Sequence, residues 1–154
     1  LQSDLGQITL ADSSQGMLDV LSEKINEAGV TNMRPVRLDL TNDPLPDEHY
    51  QLTYSLLTLH HVHDAKSIIP KFHALLEPNG YLLVADLDKE DGSFHTDGTT
   101  DVHKGFERAE LKKWVEDAGF GNVMFSTAFE IRKTIDDKEK VFPVFLMSAQ
   151  KIQV

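Results

Sequence analysis

Three groups of residues in this chain could do chemistry. The first is Ile8-Thr9-Leu10-Ala11-Asp12-Ser13-Ser14-Gln15-Gly16-Met17, where a short apolar run ends on an acid and an amphipathic segment begins at once. An acid at the C-terminal tip of a strand can accept both hydroxyl protons of a ribose, because the crevice beyond the strand ends of an open α/β sheet receives the ligand. Its competing role is to cap the next helix, which Ser13 or Ser14 could equally do. The second group is His60-His61-Val62-His63-Asp64. Imidazoles and a carboxylate this close could ligate a metal, with His73, His95 and His103 as further donors. Asp64 precedes a helix and has a capping role there, and spacing alone assembles no complete ligand set, so no metal is expected. His60 or His61 as a general base is the sharper reading, against a histidine at the surface or the edge of the core. The third group, Asp86, Asp88, Glu90 and Asp91, reads as a solvated loop after a buried strand rather than a substrate or cation site.

The elements that must position these residues alternate. Ile8–Ala11 reads as a buried strand, followed by a helix with Met17, Leu18, Leu21, Ile25 and Ala28 on one stripe and Gly29 as its stop. Met33–Leu38 is a second strand, and Pro35 inside it argues for an edge. The run from Thr41 to Glu48 holds two prolines and is a loop. Tyr50–Leu57 is a third strand, and Asp64 then caps a helix carrying Ile68, Ile69, Phe72, Leu75 and Leu76. Pro70 within that helix predicts a kink or a late start. A turn at Glu77–Gly80 leads to the apolar strand Tyr81–Leu87. The polar stretch Asp88–Lys104 is a long loop above the strand ends and a candidate lid, with Phe94, His95 and His103 available to a bound ligand. Glu107–Ala118 is a helix with Leu111, Trp114 and Val115 inward. Asn122–Lys133 and Val141–Ile152 are strands joined by a charged turn, which makes a terminal hairpin. The fold class is α/β: a three-layer sandwich with a mostly parallel, Rossmann-like sheet that ends antiparallel.

Composition narrows the partners. The 154 residues suit one domain, and 15 basic against 25 acidic residues give a net charge of −10. Such a surface repels phosphate backbones and anionic lipid, so neither nucleic acid nor membrane is an expected partner. There is no cysteine, which excludes disulfides and thiolate chemistry and fits a cytoplasmic location.

Several stretches taken together resemble the class I S-adenosylmethionine-dependent methyltransferases. They are Leu10–Leu18, Leu38-Asp39-Leu40, Leu57-Thr58-Leu59-His60-His61-Val62 and Leu76-Glu77-Pro78-Asn79-Gly80-Tyr81-Leu82-Leu83-Val84-Ala85-Asp86. The nearest branch is the small-molecule one that includes ubiquinone and menaquinone biosynthesis enzymes, and the resemblance runs from Ile8 to Ile152. It implies S-adenosylmethionine as cofactor and a small-molecule methyl acceptor as partner. By position, Asp12 matches the acid that holds the ribose hydroxyls, and Ser13 and Met17 match residues lining the adenosine. Asp39 matches the acid near the adenine amino group, with Leu40 beside the ring. Ser55 and Leu56 match the strand end that passes the methionine moiety. His60 and His61 sit where the family turns toward its acceptor.

Three departures accompany the match. The glycine-rich first motif of the family is absent, so the resemblance implies a further strand–helix unit upstream of Leu1, its strand lying between those containing Ile8 and Tyr54. Gln51 stands where an acid is common, and Asn79 where the first of two glycines is. Asn is tolerable there because it also visits positive φ. Two other classes share parts of the pattern. A nicotinamide-dependent oxidoreductase would use the same strand-end acid, but the terminal hairpin and the His60-His61 segment disfavour it. A non-catalytic binding module on a degenerate methyltransferase fold would be marked by failure to bind the cofactor.

Overall fold

The computed structural model describes residues 2–99 and 102–153. Their contacts fall into two compact units, Leu1–Pro44 and Leu45–Val154. The boundary lies in the proline-bearing loop, where Pro44 and Pro46 keep the backbone out of helix and central strand alike.

In the first unit, β1 (Ile8–Asp12) and β2 (Met33–Arg37) pair in parallel, with α1 (Gln15–Glu27) joining them. Ser14 is the N-cap of α1, its Oγ accepting the Met17 N–H at 3.3 Å. Gly29 ends the helix at φ 63°, a left-handed conformation that carries no Cβ penalty in glycine. Pro35 lies in register with Leu10, on a strand with one neighbour, so its missing N–H is tolerated. The predicted apolar stripe is narrower than its periodicity suggests. Leu18 alone is buried, and Met17 is 59% exposed.

The second unit is a four-stranded mixed sheet. Its strands are β3 (Tyr50–Leu56), β4 (Leu76–Leu87), β5 (Phe120–Ile135) and β6 (Lys138–Lys151), in the order β3-β4-β6-β5. β3 and β4 are parallel, and the other pairings are antiparallel. Helices α2 (Ala65–Leu75) and α3 (Arg108–Asp117) pack on it through Ile68, Ile69, Phe72, Leu75, Leu111 and Val115. One face of β4 carries Leu82, Val84 and Asp86, all fully buried and in register with Ala149, Met147 and Phe145 of β6. Period-two alternation puts these three side chains on one side of the sheet.

The structure departs from expectation in four places. Helix α2 runs through Pro70 without a late start, held at its N-terminus by Asp64, whose carboxylate accepts the Ser67 N–H at 3.2 Å. The turn at Glu77–Gly80 is a bulge within β4: Tyr50 pairs with Leu76 and Leu52 with Tyr81, and Asn79 takes φ 64°. The hairpin is tighter than the charged run suggested. Strands β5 and β6 extend to Ile135 and Lys138, leaving Asp136 and Asp137 at φ 51° and 58°, the paired left-handed geometry that matches strand twist.

The fourth difference concerns the loop from Asp88 to Lys104, which is clasped rather than free. At its base Glu90 N–H donates to Lys104 O at 2.9 Å and Phe106 N–H to Leu87 O at 2.9 Å. Gly105 closes this base at φ 66°, where an added Cβ would lie 2.1 Å from the Asp88 carbonyl oxygen. Farther out, Phe94 is buried against Leu87, Phe142 and Val144. Lys133 donates to the Phe94 carbonyl at 2.7 Å and lies 3.8 Å from the centre of its ring. The first half of the predicted lid is therefore anchored to a core through Phe94. Thr100 and Asp101, in its second half, fall outside the described residues.

Candidate functional site

In the first unit, the chemistry-bearing residues gather at one end of the β1–β2 pair. Asp12 closes β1 in register with Arg37, and Asp39 follows β2 by two residues. Parallel pairing brings both acids to the C-terminal edge, with Ser13 and the exposed Met17 at the start of α1 and Leu40 after Asp39. Asp12 does not cap α1, since Ser14 does. One of its carboxylate oxygens accepts the Ser14 N–H at 2.8 Å, and the other has no protein partner among the described residues. Asp39 is engaged differently. One oxygen accepts the Thr41 N–H and the other the Asn42 side-chain amide, both at 2.8 Å. These bonds, the Asn42 amide foremost, hold its carboxyl below the usual carboxylate range.

The second unit builds its site at the ends of β3 and β4. Ser55 and Leu56 finish β3, Ser55 partly buried and Leu56 56% exposed. Leu57 then takes φ 49° while its N–H donates to Ala85 O at 2.8 Å, so the chain turns sharply off the sheet. A β-carbon in this region costs about 1–2 kcal/mol, an outlier of the kind that clusters at sites. The turn delivers Leu59–His61 as a short 3-10 segment, with Leu59 buried as its anchor.

His60 is 2% exposed and Asp86 is completely buried. Asp86 Oδ1 lies 2.6 Å from His60 Nδ1 and accepts the Leu87 N–H at 2.8 Å, while Oδ2 accepts the His60 backbone N–H at 3.2 Å. With the carboxylate already accepting two backbone bonds, Nδ1 of His60 is the nitrogen that donates to Asp86, and Nε2 points away from it. His61 is exposed, and its ring centre lies 4.1 Å from that of His60. Partial burial, then the neighbouring His60 and His95, push its pKa below the ordinary histidine value, so it is neutral at pH 7. His95 arrives from the clasped loop, its ring centre 5.3 Å from His60 and 5.2 Å from His61. Nε2 of His60 and Nε2 of His95 are both buried without a hydrogen-bond partner. His103 braces the turn, its N–H donating to His60 O at 2.7 Å and its Nε2 lying 2.9 Å from His63 O.

The carboxylates after β4 do not form a shared cluster. Asp88 takes a bidentate pair from Arg108 at 2.7 and 2.6 Å. Glu90 accepts the N–H groups of Gly92 and Phe94. Asp91 meets Ser93 and Lys140, which hold its carboxyl well below the usual range. Asp86 differs from the rest of this run in being buried and bonded to His60. Its signal was parity: counted from Leu82 and Val84, position 86 falls on the buried face.

A family model described as a methyltransferase domain matches residues 1–84, a stretch holding Asp12, Asp39, Ser55, Leu56 and both adjacent histidines. The chain belongs to the methyltransferase-domain family. Over 90 residues it is 34% identical to the ubiquinone/menaquinone biosynthesis C-methyltransferase UbiE of Shewanella sediminis, covering 58% of this chain and 36% of that enzyme. The match thus spans about a third of the curated relative. Among solved structures, a provisionally assigned methyltransferase of Bacillus halodurans superposes with a TM-score of 0.76 at 15% identity, covering 96% of this chain and 84% of that one. Phosphoethanolamine N-methyltransferase 2 of Haemonchus contortus, in complex with S-adenosyl-L-methionine, gives 0.72 at 12% identity over 96% of this chain and 44% of that one. At these identities the structures establish the fold: Rossmann-like α/β.

Proposed function

We propose that residues 1–154 form a methyltransferase domain that transfers the methyl group of S-adenosylmethionine to a small molecule. The observation that carries this reading is the strand-end Asp12 within the family-matched stretch. Its environment fits a nucleoside: a carboxylate with one oxygen still unpaired, at a strand tip, beside an exposed apolar side chain at Met17. Asp12 would hold the ribose hydroxyls, with Ser13 and Met17 along the adenosine. Asp39 is occupied by its own loop, so it would shape the adenine end with Leu40 rather than bind through a free carboxylate. Ser55 and Leu56 would line the path of the methionine moiety.

The cofactor, when bound, supplies a methyl group that is already electrophilic. The protein's work is then alignment and exclusion of water. Where the acceptor is a hydroxyl or an acidic carbon, a base must also take a proton. Of the two histidines, His61 is the accessible one, and its depressed pKa keeps a lone pair available at neutral pH. His60, buried and fixed by Asp86, positions the His61 segment. The family's small-molecule branch and the acidic charge support a small acceptor over a nucleic acid or lipid surface. Among the described residues no helix is long and apolar enough to cross a membrane.

Calorimetry with S-adenosylhomocysteine tests the reading. The intact protein should bind it, and Asp12→Ala should weaken binding about 10- to 100-fold, the loss expected for charge-assisted bonds worth roughly 1.5–3 kcal/mol. Equal affinities would remove Asp12 from the site. No binding by the intact protein would turn the reading toward a non-catalytic module.

A further inference from the structure

The imidazoles at the end of β3 hold more basic nitrogen than one proton transfer can use. Ligand atoms of His60, His61 and His95 all lie within 4.8 Å of one another. Two of the rings present a buried Nε2 with no partner. Leaving a buried polar atom unpaired is destabilising, so two together mark a place where something else binds.

We propose that His60, His61 and His95 form a binding site for a divalent transition-metal cation of the zinc type. The donor set is three imidazoles with no thiolate, which suits zinc, copper, nickel or iron over magnesium or calcium. His60 carries the support such ligands need. Its Nδ1 is tied to the buried Asp86 at 2.6 Å, which fixes the tautomer and aims Nε2 away from the carboxylate. Phe94, edge-on to His60 at 6.2 Å and to His95 at 5.0 Å, supplies an apolar wall.

In a tetrahedral zinc site the ligand nitrogens sit about 3.3 Å apart, so closure from separations within 4.8 Å needs a contraction of up to about 1.5 Å. The adjustment falls to side-chain rotation of the exposed His61 and of His95, whose backbone stays anchored beside Phe94, while Asp86 holds His60 still. The fourth position would open on the exposed His61 side and take water. The expectation of no metal rested on spacing, which assembles no ligand set from His60 to Asp64 with His73, His95 and His103 as further donors. The structure gives Asp64 to the α2 cap and brings His95 across instead. Occupancy and proton transfer by His61 are mutually exclusive, since each needs the same lone pair. The inference rests on the histidine cluster alone, not on methyl transfer.

Chelator-treated protein titrated with Co²⁺, followed by visible absorption, tests the site. One equivalent should give a d–d spectrum, and Zn²⁺ should displace it. His61→Gln and His95→Gln should each lower Co²⁺ affinity at least tenfold, while His49→Gln, on an exposed residue outside the cluster, should leave it unchanged. His60 and Asp86 are buried, and loss of folding there would imitate loss of a ligand. The two accessible positions therefore carry the test. Absence of a one-equivalent spectrum, or equal affinity in the wild type and the His61→Gln/His95→Gln double variant, would overturn the proposal.

Discussion

Two acids lie at or near the C-terminal ends of strands β1 and β4, and their surroundings are opposite. Asp12, at the tip of β1, is partly exposed, accepts one local N–H and keeps an oxygen unpaired. Asp86, near the tip of β4, is fully buried with its oxygens directed at His60 and Leu87. The same residue type near a strand end is thus left partly open to solvent in one case and anchors a histidine-bearing turn in the other. What separates them is the neighbouring element. Among the described residues β1 pairs with β2, whereas β4 lies between β3 and β6 and meets a histidine-bearing turn. A carboxylate in the second setting must be completely bonded, because a buried unpaired charge is prohibitive.

The largest test of this contrast is stability. Asp86→Ala should lower unfolding free energy by about 3–5 kcal/mol in urea titration, the range for removing one partner of a buried ionic hydrogen-bond group. Asp12→Ala should change it by about 0.5 kcal/mol or less, as for an ordinary surface substitution. Similar losses for the two would break the comparison. A second experiment bears on what keeps the β4 end closed. Phe94→Ala removes an aromatic ring from the cluster with Leu87, Phe142 and Val144, and should cost about 2–4 kcal/mol. It should also raise amide hydrogen exchange at Glu90 and Phe106, whose bonds are part of the loop base. Unchanged exchange there would mean that the backbone clasp, not Phe94, holds the loop.

Much of the contrast was legible beforehand, and its limits are physical. Asp12 could be read because an apolar run followed at once by helix signals locates a strand tip without tertiary information. Asp64 as a cap and Pro35 as an edge residue followed from local chemistry in the same way. Asp86 was grouped with three solvated neighbours because the strand before it is apolar on both faces, which blurs the parity that would have singled it out. His95 could not be brought to His60 from spacing, since the loop carrying it folds back through Phe94, Lys133 and Gly105. The Leu57 backbone, left-handed at a residue that avoids this, has no sequence signal at all.

The smallest expected effect concerns a third setting, an imidazole partly buried without a carboxylate. His73, at the end of α2, packs edge-on to Phe120 with ring centres 5.0 Å apart, and Lys151 donates to its carbonyl at 2.9 Å. Burial first and Lys151 second lower its pKa below the usual 6.5. The folded state therefore binds fewer protons than the unfolded chain below that pH. Its contribution to stability is complete above 6.5 and is lost as pH falls toward the depressed folded value. His73→Gln should flatten the decline in urea midpoint between pH 7 and pH 5 by less than the effect of one full proton. An unaltered slope would mean that this imidazole titrates alike in both states.

The hairpin of β5 and β6 has a consequence for how the chain assembles. Its turn is two residues long, and each rung beyond Ile135–Lys138 lengthens the closed loop by one residue on either side. By contrast, joining β4 to β6 requires closing the whole stretch from Leu87 to Val144. Loop-closure entropy makes the hairpin the cheapest long-lived contact available to the unfolded chain. This predicts that β6 serves as a template onto which β4, with Asp86 on its inner face, docks after the hairpin has formed. Substitutions at Ile131 or Phe142 should therefore slow folding, whereas those at Leu82 should chiefly speed unfolding, a division that chevron analysis reads directly.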